Sequence, residues 1–129
     1  MRRDHRLASG AAVCLAEMAD ETFLLHPREA NPGHYDAVLG LCREQDFEPR
    51  VLLRTLTFDL TYGPILRTEA VAIVGESSRS ELPEELCWLP LSPPVSFEVS
   101  LLVRSHNRSP AVDRMLGAAT GIADALGWI

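Results

Sequence analysis

Three observations predict an α/β fold with a mostly parallel sheet and flanking helices. Short β-prone runs recur along the chain, at Thr22–Leu25, Arg50–Leu56, Val71–Val74, Leu86–Leu91 and Ser96–Arg104. Helical stretches of about ten to fifteen residues, long enough to act as crossovers, separate several of them. One run, "VAIV" at Val71–Val74, is apolar throughout, which is the pattern of a strand covered on both faces. With 129 residues, 47% hydrophobic and 23% charged, the chain fits one globular domain with its own core.

In chain order, the first ten residues are charged and include Gly10, which predicts a loosely held start. Leu15–Ala19 can form one helical turn. Thr22–Leu25 reads as a buried strand that stops at His26-Pro27. Asn31-Pro32 then opens a helix, because an asparagine side chain accepts from free first-turn N–H groups and proline has no N–H to leave unpaired there. Tyr35, Val38, Leu39 and Cys42 follow at helical spacing and define one apolar face.

Pro49 closes that helix and precedes "RVLLRTL", a strand-favouring run. Phe58–Arg67 has helical spacing at Leu60, Ile65 and Leu66, but Gly63-Pro64 predicts a kink or interruption. Gly75–Glu84 is polar with room for a helical turn, and Pro93-Pro94 closes the strand that follows. Ser96–Arg104 alternates and predicts a longer strand. Ser109-Pro110 repeats the cap-plus-proline signature, and Val112, Met115, Leu116, Ala119, Ile122, Ala123 and Leu126 make one stripe of a final amphipathic helix.

Composition narrows the function. Net charge is −6 and all twelve basic residues are arginine, so the chain offers no basic patch for a duplex and direct DNA binding is not expected. No window approaches the roughly 18 apolar residues of a membrane span, and MRRDHRLASG lacks a signal-peptide core. These features predict a cytoplasmic protein with no membrane partner. Cys14, Cys42 and Cys87 are odd in number and widely spaced, which favours buried free thiols over disulfides or zinc.

Nor is enzyme chemistry indicated. "GESS" at Gly75–Ser78 lacks the second glycine of a nucleophile elbow. His34 with Asp36, or His106, could be paired with a serine only arbitrarily. His5, His26, His34 and His106 show no metal spacing, and Gly40, Gly63 and Gly75 form no phosphate-binding fingerprint. The expectation is no catalytic residue, no metal and no cofactor.

The order and wording of several segments resemble the effector-binding domain of LysR-type transcriptional regulators. They are "RDHRLA", "LAEMADETFLLHPRE", "PGHYDAVLGLCREQDFEPRV", "AVAIVGES", "LCWLPL" and "VSLLVRSHNRSPAVDRMLGAA", together running from Arg2 to Ala119. Locally the chain departs from that family's pattern. Thr68-Glu69-Ala70 stands where the family usually has glycines, Gly75 where it has proline, and Gly63-Pro64 falls in an otherwise unbroken helix.

The resemblance implies half of a type 2 periplasmic-binding-protein-like fold. Residues 1–129 would form a single, partial effector-binding domain. Within it, 1–95 would be the second-subdomain-like core, and 96–129 the crossover strand and C-terminal helix. The family's DNA-binding winged helix would precede this sequence and is not part of it.

The implied function is sensing a small, anionic effector, such as a carboxylate, between two subdomains. Ligand contacts would come from His26, Arg28, Asn31, Gly33 and His34 after "FLLHP", with Thr55 and Thr57 at the end of "RVLLRTLT". A solvated loop and two ordinary strand threonines are the plainer reading. The apolar stripe of the last helix implies a homodimer. The alternative function is a stand-alone module that self-associates without ligand.

Overall fold

A computed structural model describes residues 1–53, 62–98, 100–104 and 109–128. The chain forms two compact units, Met1–Phe97 and Glu98–Ile129.

At the centre of the first unit lies β1, Thr22–Leu25, which pairs in parallel with β2, Arg50–Leu53. The register sets Phe23 beside Val51 and Leu25 beside Leu53. On its other side, β1 bridges in parallel to Val71, with Leu24 N–H donating to the Val71 carbonyl at 2.7 Å and Val71 N–H to the Thr22 carbonyl at 2.9 Å. The expected "VAIV" strand is therefore reduced to a single bridging residue, although Val71 and Ile73 are buried. The parallel, helix-flanked arrangement predicted from sequence is present, but the sheet is small.

Side chains of β1 alternate between two cores, as the period of a strand requires. Phe23 and Leu25 join Val38 and Cys42 of helix α1, Pro32–Arg43, while Leu24 joins Ile65 of the short helix α2, Gly63–Arg67. The face of α1 foreseen from spacing is the face that packs: Val38 and Cys42 are buried, and Tyr35 and Leu39 lie against the same cluster. Burial pushes the Cys42 thiol up to about 11, so it stays protonated and unreactive at neutral pH. All three cysteines are free thiols.

Both cap-plus-proline signatures start helices. Asn31 Oδ1 accepts from His34 N–H at 3.2 Å, and Ser109 Oγ accepts from Val112 N–H at 3.4 Å. The second opens α3, Pro110–Ala125, in the second unit. Gly63-Pro64 begins α2, since proline is tolerated in a first turn. Residues 58–61, the front of the predicted Phe58–Arg67 stretch, lie outside the described residues.

Three further expectations need correction. The first residues are tied down, not loose. Arg2 bridges Leu86, Arg3 Nε reaches the Glu84 carbonyl, and His5 and Arg6 both bind Glu21. Leu86–Leu91 is not a strand, because its ends bridge different partners, Leu86 to Arg2 antiparallel and Leu91 to Val13 in parallel, so no ladder can propagate. Ser96–Arg104 shows no strand among its described residues, and Leu102 is 95% exposed.

Candidate functional site

The loop after β1 leaves the carboxyl end of a parallel strand and enters a helix N-terminus, the edge at which open α/β sheets receive ligands. Pro27 organises it, its carbonyl accepting from Ala30 N–H at 2.9 Å and Asn31 N–H at 3.3 Å. That turn aims the chain into α1. The Asn31 cap occupies the third N–H of the helix, Pro32 has none, and Gly33 N–H has no partner among the described residues. Gly33 is exposed, and a Cβ there would meet nothing within 4 Å.

His34 is half-buried, and its role is partly internal. Its Nε2 lies 3.3 Å from the Ile73 carbonyl, just beyond the Val71 bridge. A carbonyl only accepts, so Nε2 carries the proton. The ring also packs against Phe97, with centroids 5.7 Å apart and planes at 48°. His34 thus ties α1 to the end of the 71–73 segment.

Arg28 is engaged as well. Its Nε donates to Asp36 Oδ1 at 2.7 Å and its Nη2 to Oδ2 at 2.6 Å, a two-point pairing of guanidinium with carboxylate. The hydrogen bonds from Arg28 hold the Asp36 carboxyl below its ordinary range, and the same bonds raise Arg28. A depressed carboxyl keeps its pairing above the ordinary carboxylate range and loses it as pH falls through the lowered value. Both side chains are well exposed, so the link is locally strong in geometry but weak in stability.

Of the residues expected to bind ligand, the structure brings Arg28, Asn31, Gly33 and His34 to one loop-and-helix corner. His26 is half-buried directly after β1. Thr55 and Thr57 lie outside the described residues. Asp36, the Ile73 carbonyl and Phe97 join this corner unforeseen. Only Asp36 left a sequence trace, as an acid one helical turn beyond the cap.

A cavity of about 270 Å3 lies at the opposite, amino edge of the sheet, lined by Glu21, Thr22, Arg50, Leu52, Thr68, Glu69 and Ala70. Much of its polar lining is already committed. Thr68 Oγ1 donates to the Pro64 carbonyl at 2.7 Å and accepts from Ala70 N–H at 3.2 Å, while Glu21 binds His5 and Arg6. It reads as a packing recess. Among the described residues no group of three His, Cys, Asp or Glu side chains could hold a metal ion, and no helix is long and apolar enough to cross a membrane.

Residues 1–121 match the family model described as the LysR substrate binding domain. The chain is also similar to the "Uncharacterized HTH-type transcriptional regulator YnfL" of Escherichia coli (strain K12), with 29% identity over 110 residues. That alignment covers 84% of this chain and 37% of the relative, so the chain spans well under half of that regulator's length.

Proposed function

Because the chain belongs to the LysR substrate-binding-domain family, we propose that it is the effector-sensing portion of a LysR-type transcriptional regulator acting in the cytoplasm. The family match over residues 1–121 carries this reading. The ligand is a small anion such as a carboxylate, received at the carboxyl edge by Arg28, Asn31, Gly33 and His34; the family resemblance adds His26, Thr55 and Thr57 to its contacts. Sensing requires only that the ligand bind one arrangement of the regulator better than another, since a ligand shifts an equilibrium by its differential affinity. DNA contact belongs to other parts of such a regulator, not to these acidic residues.

A thermal-shift screen of the chain against small carboxylates and aromatic acids tests the reading. A true ligand raises the melting temperature in proportion to RT ln(1 + [L]/Kd). Arg28→Ala should weaken that ligand by about tenfold or more, the worth of a charge-assisted, two-point hydrogen bond. A shift that survives unchanged removes Arg28 from the site.

The second reading is self-association. No residue of α3 is buried, and Met115, Ile122 and Leu126 are each more than half exposed. A continuous apolar stripe of this kind is uncommon on a monomer, and two copies of α3 would cover each other isologously. Multi-angle light scattering at micromolar concentration should give the mass of a dimer, and Ile122→Glu should return it to a monomer. A monomer in both counts against the dimer and against a module that works only by self-association.

A further inference from the structure

The Arg28–Asp36 pair raises the question of what fills the site before a ligand arrives. Both carboxylate oxygens of Asp36 face two nitrogens of Arg28, at 2.7 and 2.6 Å, the geometry in which a guanidinium takes a free carboxylate. Packing does not force it, because the two side chains are 61% and 50% exposed. Helix electrostatics do not explain Asp36 either. The first turn of α1, where the dipole would favour an acid, contains none, and Asp36 lies beyond it. The one hydrogen-bond partner of the Asp36 side chain among the described residues is Arg28.

We propose that Asp36 is an internal stand-in for the ligand's carboxylate: it occupies the Arg28 fork in the unliganded protein, and an anionic ligand enters by exchanging with it. This rests on the sensor reading above and adds a regulatory element to the same loop. The occupied fork carries no net charge, so a weak anion gains little by approaching it. A ligand must therefore offer further contacts, such as one to the Gly33 N–H, which no described residue engages, to displace Asp36. Exchange is feasible because an exposed pair of this kind is only weakly held.

The test titrates the full chain with succinate at millimolar concentration and constant ionic strength, following the Arg28 Nε–H resonance by 15N NMR. The wild type is compared with Asp36→Asn and with Glu29→Gln. Glu29 acts on Arg28 through charge alone, without a hydrogen bond, so Glu29→Gln controls for the loss of one negative charge. Succinate should bind Asp36→Asn about two- to fivefold more tightly than wild type, the factor set by the strength of an exposed pair. Glu29→Gln should change affinity by less.

Equal affinity for wild type and Asp36→Asn, or equal gains in the two variants, overturns the proposal. So does an Arg28 resonance that no protein moves under succinate. In that last case a ligand found by thermal shift whose effect is indifferent to Arg28→Ala would still support sensing, through other residues. Because Asp36 is exposed, unchanged circular dichroism is expected and separates lost folding from altered binding.

Discussion

Phe23→Ala is expected to destabilise the first unit by about 3–5 kcal/mol, the range for deleting a fully buried aromatic side chain. Phe23 is 0% exposed. Its backbone stands between Val51 and Val71, and its ring meets Phe47 with centroids 6.2 Å apart. Truncation would open a cavity beneath α1 where Val38 and Cys42 also pack. Domains of this size are stable by only about 5–15 kcal/mol, so a large share of the total is at stake. Urea unfolding should show a much lower midpoint with an unchanged slope. A loss below about 1 kcal/mol, the size of an average substitution, would mean that β1 is not the centre of the core.

Glu21→Ala should cost about 2–3 kcal/mol, because it strands donors that a charged acceptor now satisfies. Glu21 takes His5 Nε2 on one oxygen at 3.2 Å and Arg6 Nε on the other at 2.7 Å. The His5 ring is fixed in register by Leu7 N–H, which donates to Nδ1 at 3.2 Å, leaving the proton on Nε2 and aimed at Glu21. With the His5 side chain only 5% exposed, water cannot fully replace the lost acceptor. Arg6 is mostly exposed and will find solvent. Denaturant curves of Glu21→Ala, His5→Ala and the double variant should therefore show strong coupling, the double costing clearly less than the sum of the singles. Additive losses would mean that the contact carries no energy of its own.

Local signals are legible in the sequence where local chemistry decides the outcome. Asn31-Pro32 and Ser109-Pro110 start helices because a cap and a proline act within one turn, and β1 ends at Leu25 where His26-Pro27 follows. What failed was decided by distant partners. The charges of Arg2, Arg3, His5 and Arg6 look like a loose, solvated start until Leu86, Glu84 and Glu21 are brought beside them. Leu86–Leu91 has a strand-like composition, but its two ends bridge in opposite senses to different segments.

At the candidate site the same division holds. Arg28 was visible as a cation near a helix start, and Asn31 as the cap. That Arg28 is already matched by Asp36 depends on how the turn around Pro27 folds the loop back along α1, which spacing alone does not reveal. His34 was visible as a possible ligand contact, whereas its bond to the Ile73 carbonyl requires the 71–73 segment to pair beside β1.

The position of β1 also bears on how the protein is made. Its two neighbours come from downstream, β2 at Arg50–Leu53 and the bridge at Val71. A ribosome adding about 5–20 residues per second delivers Phe23 and Leu25 seconds before either neighbour exists. During that interval the cover available to them is what precedes β1, namely Met1, Leu7, Val13 and the 3-10 turn at Leu15–Met18, and then α1. Early helix formation from the Asn31 cap is therefore expected to cover Phe23 and Leu25 before their strand partners arrive. A weakened cap should show up first as lower soluble yield, before any change in the folded protein is measurable.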